Sequence, residues 1–197
     1  MKAYAYVVGP QDVAWTTLFD MAGDLGFAGI SDFRGLAQVE EQAGETPICY
    51  FLFSAVSDLR ALRPLARDIR FSPSAHIRFA PMVYCAESLS VENIMACINM
   101  GFDDIVALPQ SGPRLQARLA RQVDRTVVFY ETPGYFGPDR RNRLASLNAR
   151  RPQSRAAGPY RRLEIVRTLL SGVSVLRDEF SPAPAAVAAM QTLQQTA

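Results

Sequence analysis

The apolar run at residues 48–53 limits the possible folds of this chain more than any other feature of the sequence. Its six residues, Ile-Cys-Tyr-Phe-Leu-Phe, contain no polar side chain. A strand with water on one face alternates apolar and polar residues, whereas a strand in the middle of a parallel sheet is covered by helices on both faces. We therefore predict that residues 48–53 form a central strand of a parallel sheet.

Strand-like and helix-like segments alternate over the first 125 residues or so. The predicted strands cover residues 3–8, 27–33, 48–53, 77–85 and 105–108. The predicted helices cover residues 12–25, 34–43, 57–69, 90–100 and 112–123. Strands that alternate with helices form parallel sheets with right-handed crossovers. The predicted fold class is α/β, with a doubly wound five-stranded parallel sheet.

Two short motifs carry a resemblance to a known family. The stretch MGFDDIVALP at residues 100–109 is similar to the Met-Gly-Ala-Asp-Asp motif, apolar strand and Lys-Pro of response-regulator receiver domains. The stretch LGFAGISDF at residues 25–33 resembles the Leu-Gly-Tyr that begins the family's second strand. The resemblance implies a receiver (flavodoxin-like) fold over residues 1–127, a role in two-component signalling and a cis peptide bond at Leu108–Pro109.

The positions that the family uses for phosphorylation hold other residue types here. The phosphoacceptor aspartate aligns with Phe53, or with Ser54 if the register shifts by one residue. The metal-binding acids, the hydroxyl residue and the lysine of the family align, in that order, with Gly9 and Pro10, Cys85, and Leu108. Phosphoryl transfer to a carboxylate needs that carboxylate, a divalent cation and a cationic side chain. We therefore predict a pseudo-receiver without catalytic residues, metal or cofactor, and not an enzyme.

Other reactive residues offer little chemistry. Asp12 and Asp58 lie near the aligned site in sequence, but each stands where a predicted helix begins, so we interpret both as helix caps. The three cysteines are odd in number and lack C-x-x-C spacing, which argues against a disulfide framework or a zinc site. Apolar neighbours raise the pKa of a thiol, and Cys85 is therefore expected to be unreactive.

Basic charge is concentrated in the second part of the chain. Residues 1–127 hold 11 basic and 14 acidic side chains, whereas residues 128–197 hold 10 and 5. Eight arginines and no acid lie within residues 140–162. This asymmetry points to an anionic partner, although a solvated linker would have the same composition. We divide the chain into the pseudo-receiver, an arginine-rich turn and linker at residues 128–159, and a helical extension at residues 160–197.

Arginine forks bind phosphate in a bidentate manner. The candidate nucleotide-binding residues are Arg140, Arg141, Arg143, Asp139 and Tyr135. The location of the cluster resembles chemotaxis-receiver-like proteins whose arginine-rich C-terminal extension binds cyclic di-GMP, so this nucleotide is the first ligand to consider. Nucleic-acid binding by the tail is the least favoured alternative, because no helix-turn-helix or zinc finger follows the receiver-like part.

The first hypothesis for function is a module that acts through protein contacts. Apolar residues at helical spacing predict a helix over residues 160–180, which would dock on another signalling protein or a second copy of the chain. The candidate interaction surface consists of Arg114, Arg118, Arg121, Leu163, Val166 and Leu170. No apolar run approaches the roughly 20 residues that span a bilayer and no signal pattern begins the chain, so a cytoplasmic location is expected.

Overall fold

The computed structural model describes residues 2–139 and 158–182. Five parallel strands form its first sheet: β1 (Tyr4–Val8), β2 (Gly29–Asp32), β3 (Cys49–Phe53), β4 (Met82–Ala86) and β5 (Asp104–Ala107). Their spatial order is β2-β1-β3-β4-β5. All five residues of β3 are buried, because β1 and β4 flank the strand and helices cover both faces. The prediction of a doubly wound parallel sheet is confirmed.

Six helices are present in the described residues, with a 3-10 turn at Leu59–Leu62 before the third. They are α1 (Val13–Gly23), α2 (Leu36–Gln42), α3 (Arg63–Arg70), α4 (Ala75–Arg78), α5 (Val91–Asn99) and α6 (Gly112–Ala120). Helices α2 to α5 pack on the sheet face that carries Phe51 and Phe53. Helices α1 and α6 pack on the opposite face, which carries Tyr50 and Leu52. Apolar burial on both faces therefore holds the layers together.

Local signals fix several helix starts. The Asp12 carboxylate accepts a hydrogen bond from the Trp15 amide at 3.0 Å, and Ser90 Oγ accepts one from the Asn93 amide at 3.1 Å. These contacts satisfy N–H groups that the first helical turn leaves unpaired. The peptide bond Leu108–Pro109 is cis, as the family resemblance implies. The fourth strand was predicted too long, since residues 75–78 form α4 and β4 begins only at Met82.

The C-terminal part of the chain corrects the sequence prediction. Four antiparallel strands form a second sheet: β6 (Thr126–Thr132), β7 (Tyr135–Pro138), β8 (Tyr160–Thr168) and β9 (Gly172–Ser181), in the order β7-β6-β8-β9. The predicted helix over residues 160–180 is therefore wrong. Leu163 and Ile165 alternate with outward residues in β8, and Gly172, at a φ of +77°, ends the turn to β9.

The proposed division of the chain changes accordingly. Residues 126–138 belong to the second sheet, and they are not part of a linker. Residues 140–157 of the predicted linker lie outside the described residues. The helical extension is replaced by the β8–β9 hairpin as far as Ser181, and residues 183–197 lie outside the described part.

An aromatic cluster and buried ion pairs attach the second sheet to the first. The Phe79 ring lies 5.3 Å from Phe129 and 5.6 Å from Phe136, measured between centroids. Beside the rings, the buried Asp103 carboxylate accepts from Arg70 at 2.5 Å and from Arg167 of β8 at 2.7 Å. The two sheets therefore share one buried junction. No helix in the described part of the chain is long and apolar enough to cross a membrane.

Candidate functional site

The carboxyl ends of β1 and β3 border an open cleft of about 570 Å³. Val8 of β1 lies directly opposite Phe53 of β3, and Gly9 and Pro10 follow at the rim. Strand order reverses here, because β2 lies on one side of β1 and β3 on the other. Open α/β sheets bind ligands at such switch points, so this cleft is the candidate ligand site of the parallel sheet.

Phe53 and Ser54 lie at the carboxyl end of β3. The Phe53 side chain is fully buried, and its ring centroid lies 4.8 Å from that of Phe102. Ser54 is also buried, and its hydroxyl donates to the Val8 carbonyl at 3.3 Å. Ser54 Oγ fits there only because Gly9 has no side chain: a Cβ at Gly9 would lie 2.0 Å from it. Both side chains serve packing rather than the cleft.

Two carboxylates border the cleft, and both act as caps as predicted. Asp12 caps α1, while Asp58 accepts a hydrogen bond from the Arg60 amide at 2.9 Å at the start of the 3-10 turn. Within the described ranges, no group of three or more His, Cys, Asp or Glu side chains could hold a metal ion. The cleft walls are otherwise largely apolar, and include Phe33, Val56 and Leu62.

The thiols are held in their neutral form. Burial raises the pKa of Cys85 to about 12, and the nearby Asp104 carboxylate adds to the shift. Burial also raises the pKa of Cys49 and of Cys97 to about 12. Thiolates are the nucleophilic form, so none of the three has the character of a reactive cysteine. Burial lowers the pKa of His76, whose Nδ1 lies 3.1 Å from the Pro47 carbonyl.

The three arginines predicted to line the last helix of the receiver-like part differ in their roles. Arg118 binds the nearly buried Asp104 carboxylate through two nitrogens, at 2.6 and 2.9 Å, and donates to the Ile105 carbonyl at 2.7 Å. Its hydrogen bond to Asp104 raises the pKa of Arg118. Arg114 is exposed on α6, and Arg121 is exposed directly after its last residue. Arg118 is therefore a structural residue, whereas Arg114 and Arg121 are available at the surface.

The three apolar residues predicted to share a helix face do not share a face in the structure. Leu163 is buried between the sheets, and it is unavailable to a partner. Val166 is half-buried and pairs across the sheet with Ser174. Leu170 is 81% exposed in the turn between β8 and β9. The interaction surface predicted from helical spacing is wrong in this part, because the segment is a hairpin.

A basic cleft of about 150 Å³ lies between α3 and the β6–β7 turn. Arg63 and Arg67, one helical turn apart on α3, stand on one side, and Gly134 and Tyr135 stand on the other. Neither arginine forms an ion pair with any described residue. The Tyr135 hydroxyl donates to the Pro138 carbonyl at 2.9 Å, which fixes its ring. The arrangement offers two cations and an aromatic wall to an anion.

Only part of the nucleotide site predicted from the sequence lies at this cleft. Tyr135 lines it, and the Asp139 amide donates to the Val128 carbonyl at 2.8 Å just beyond β7. Arg140, Arg141 and Arg143 lie outside the described residues. Sequence reasoning missed Arg63 and Arg67, although their spacing of four residues on a predicted helix indicated a shared face.

Comparison with known proteins gives matches in solved structures only. No family model and no curated protein matches the chain. The receiver domain of a sensor histidine kinase from Pseudomonas aeruginosa, solved with magnesium in its active-site cleft, is 20% identical, with 60% of this chain and 95% of that chain covered and a TM-score of 0.44. A CheY-like protein from the same organism is 12% identical, with 61% and 98% covered and a TM-score of 0.45.

A response regulator from Desulfuromonas acetoxidans is 17% identical, with 60% of this chain and 94% of that chain covered and a TM-score of 0.36. At such identities these matches carry no functional argument. The class of protein is defined by the strand order itself, which is that of flavodoxin and CheY. The chain is a receiver-like α/β protein with an added antiparallel sheet.

Proposed function

We propose that this chain is a receiver-like signalling module that is not phosphorylated and that acts through contacts with other proteins. The observation that carries the proposal is the end of β3, where a buried Phe53 and a hydrogen-bonded Ser54 stand in place of an accessible carboxylate. Aspartyl phosphorylation needs a carboxylate at this point, with a divalent cation and a cationic side chain beside it.

The surroundings of Phe53 support the same conclusion. Its ring packs against Phe102 within the core, so the side chain at the end of the strand is a packing residue. Leu108 stands at the position that aligns with the family's lysine, directly before the cis Pro109. Regulation of such a module must come from its abundance or from a ligand that binds two of its states with different affinity.

The first test is incubation with magnesium and radiolabelled acetyl phosphate, next to a phosphorylatable receiver as positive control. We expect label at background level on this chain. Incorporation that is lost in Asp58→Asn or in Asp12→Asn would overturn the proposal, because it would identify a phosphoacceptor at the cleft. Label that persists in both variants would equally overturn it and place the acceptor elsewhere.

The exposed side of α6 is the contact surface that we propose for a signalling partner. Arg114 and Arg121 provide positive charge there, and Arg118 supports the helix through Asp104. Charges at an interface rim set the partner and the association rate, so a partner with an acidic surface is expected. We expect a partner protein to bind the wild type and the control variant Arg60→Glu, and not to bind the double variant Arg114→Glu/Arg121→Glu. Equal binding of the partner by all three proteins would exclude α6 as the contact surface.

A second candidate function is favoured by the cleft at Tyr135. Arg63 and Arg67, which form no ion pair with a described residue, and the aromatic wall suit a phosphate-rich nucleotide, and cyclic di-GMP is the candidate that we propose. The arginines at positions 140, 141 and 143 follow β7 in sequence and are the further candidate ligands.

Calorimetric titration with cyclic di-GMP, with GTP as control and at two salt concentrations, tests this function. We expect Arg63→Ala/Arg67→Ala to weaken binding at least about tenfold, since charge-assisted hydrogen bonds are lost. The charge-matched control is Arg114→Ala/Arg121→Ala, which should bind normally. The variant Arg140→Ala/Arg141→Ala/Arg143→Ala tests the segment outside the described residues. Absence of heat would exclude the sensor, and binding that falls steeply with salt for any polyanion would indicate the nucleic-acid alternative instead.

A further inference from the structure

Strand β9 is the edge of the second sheet. It is ten residues long and pairs with β8 along one side, and no described strand pairs with its other side. In an antiparallel ladder, every second residue turns its N–H and C=O groups away from the neighbouring strand. A long free edge of this kind is a template for another strand, and native proteins normally shorten, cover or bury it.

The exposed side chains of β9 combine apolar and charged groups. Leu176 is 59% exposed and Phe180 is 69% exposed. Between them lie Arg177, Asp178 and Glu179, which are also exposed. Charges of one sign would repel an identical strand, whereas this stretch carries both signs, so it can pair with itself.

The pairing with β8 shows which side chains share a face. Glu179 lies opposite Arg162 and Arg177 lies opposite Glu164, on the outer face of the sheet. Asp178 lies opposite the buried Leu163 and therefore points to the inner face. Because side chains alternate along a strand, Phe180, two residues beyond Asp178, belongs to that same inner face, whereas Leu176 is the extra residue at a β-bulge in the pairing with β8.

We propose that β9 pairs with β9 of a second copy of this chain, antiparallel and centred on Asp178. This register places Arg177 opposite Glu179 of the second copy on the outer face, twice by symmetry. It also brings the exposed Leu176, at the bulge, next to Phe180 of the second copy, twice. A single register therefore pairs opposite charges and brings exposed apolar side chains together, and it would join two four-stranded sheets into one of eight strands.

Asp178 faces its own equivalent at the centre of this register. Each Asp178 carboxylate is bound by Arg161 of its own chain through two nitrogens, at 2.7 and 2.5 Å. Arg161 also approaches Glu131 at 3.5 Å. The central carboxylates therefore meet as members of ion pairs rather than as isolated charges, which limits their repulsion. This interface rests on the proposed function, because both assume that the chain acts through protein contacts. It uses no residue of the cleft at the carboxyl ends of β1 and β3.

The test is the molar mass of the full chain in solution, by light scattering after size exclusion and by sedimentation. The wild type, of 21.7 kDa per chain, should be a dimer at micromolar concentration. Arg177→Glu and Glu179→Arg should each raise the dissociation constant at least about tenfold, since each places like charges opposite one another twice. An equimolar mixture of the two single variants should restore a dimer, because opposite charges then face each other at both positions across the interface while each chain keeps the hairpin contacts that it has alone. Circular dichroism checks that each variant is folded, and Arg60→Glu, at an exposed arginine outside every proposed surface, is the charge-matched control.

A monomeric wild type would overturn the proposal and would mean that β9 is covered by another segment or another protein. A dimer that survives both single variants would overturn it as well, because the interface would lie elsewhere. Loss of the dimer without recovery in the mixture of the two single variants would overturn the register. The phosphorylation assay is independent of these results, so the proposed function and this interface can fail separately.

Discussion

The guanidinium of Arg167, in β8, lies 2.7 Å from the carboxylate of Asp103, and both side chains are fully buried. Arg70 holds the other oxygen of the same carboxylate, and the Met82 amide donates to that oxygen at 3.0 Å. The remaining donors of the two arginines reach backbone carbonyls, including those of Gly101 and Phe79. One buried anion is thus shared by cations from both sheets.

The first prediction concerns this shared anion. Asp103→Asn leaves two buried guanidiniums without a counter-charge, and breaking a buried ion pair costs about 3–5 kcal/mol. Urea unfolding should show that loss in the free energy of unfolding. Asp68→Asn, an exposed carboxylate on α3, is the matched control and should change it by less than about 0.5 kcal/mol. Similar values for the two variants would contradict the structural role of Asp103.

The second prediction separates the arginines of α6. Arg118→Ala removes both hydrogen bonds to the nearly buried Asp104 carboxylate and should cost about 1–3 kcal/mol of unfolding free energy. Arg114→Ala, on the exposed side of the same helix, should cost less than about 0.5 kcal/mol. Thermal and urea unfolding measure both. If Arg114→Ala proved the more destabilising, the assignment of Arg118 as the structural arginine would be wrong.

The third prediction concerns the thiols. The pKa of Cys49, Cys85 and Cys97 is about 12 in the folded chain, against 9.0 without burial. Between these values the unfolded chain releases thiol protons that the folded chain keeps, so the thiol contribution to stability is complete below about pH 9 and falls as pH rises toward 12. The drop should be smaller in Cys85→Ala than in the wild type.

Thiol reactivity provides a direct measurement of the same burial. Ellman's reagent should modify the native chain slowly at about pH 8, since the neutral thiol is a poor nucleophile. All three cysteines should react at once after unfolding in urea. Rapid reaction of one thiol in the native chain would show that it is accessible, contrary to its burial here.

The fourth prediction concerns the contact between Gly9 and Ser54. Gly9 has a φ of +148° and no room for a Cβ beside Ser54 Oγ, so Gly9→Ala should cost about 1–3 kcal/mol. Adding Ser54→Gly removes the colliding atoms, and the double variant should recover part of the loss. Urea unfolding of the two single variants and the double variant gives the coupling energy. Strict additivity would show that backbone strain alone causes the loss.

The parallel sheet could be predicted because its signals are local. The apolar run that contains β3 has no polar interruption, and Asp12 and Ser90 stand at helix starts where they act as caps. The motif at residues 100–109 also correctly indicated the position of the fifth strand. Its two aspartates proved to be structural, with Asp103 bound to Arg70 and Arg167 and Asp104 bound to Arg118.

The β8–β9 hairpin of the second sheet was not predicted, for a physical reason. Leu163 and Ile165 alternate as a strand requires, but the third inward position of β8 is Arg167, whose charge hides the alternation. That arginine is buried only because Asp103, 64 residues away in sequence, balances it. A pattern that depends on so distant a partner cannot be read from the segment alone. The candidate basic cleft is similarly formed by α3 and the β6–β7 turn, which meet only in the folded chain.

The binding of Asp103 by arginines from both sheets also affects how the folded chain unfolds. Because Arg167 anchors β8 to Asp103 at the buried junction between the two sheets, the hairpin cannot detach without exposing a buried charge. Amide hydrogens of Leu163 and Ile165 should therefore exchange with solvent as slowly as those of Tyr50 and Phe51, through global unfolding. An excised piece ending at residue 127 would lack its second guanidinium and would leave Phe79 uncovered. The hairpin is in this sense a part of the same cooperative unit, and it is not a detachable tail.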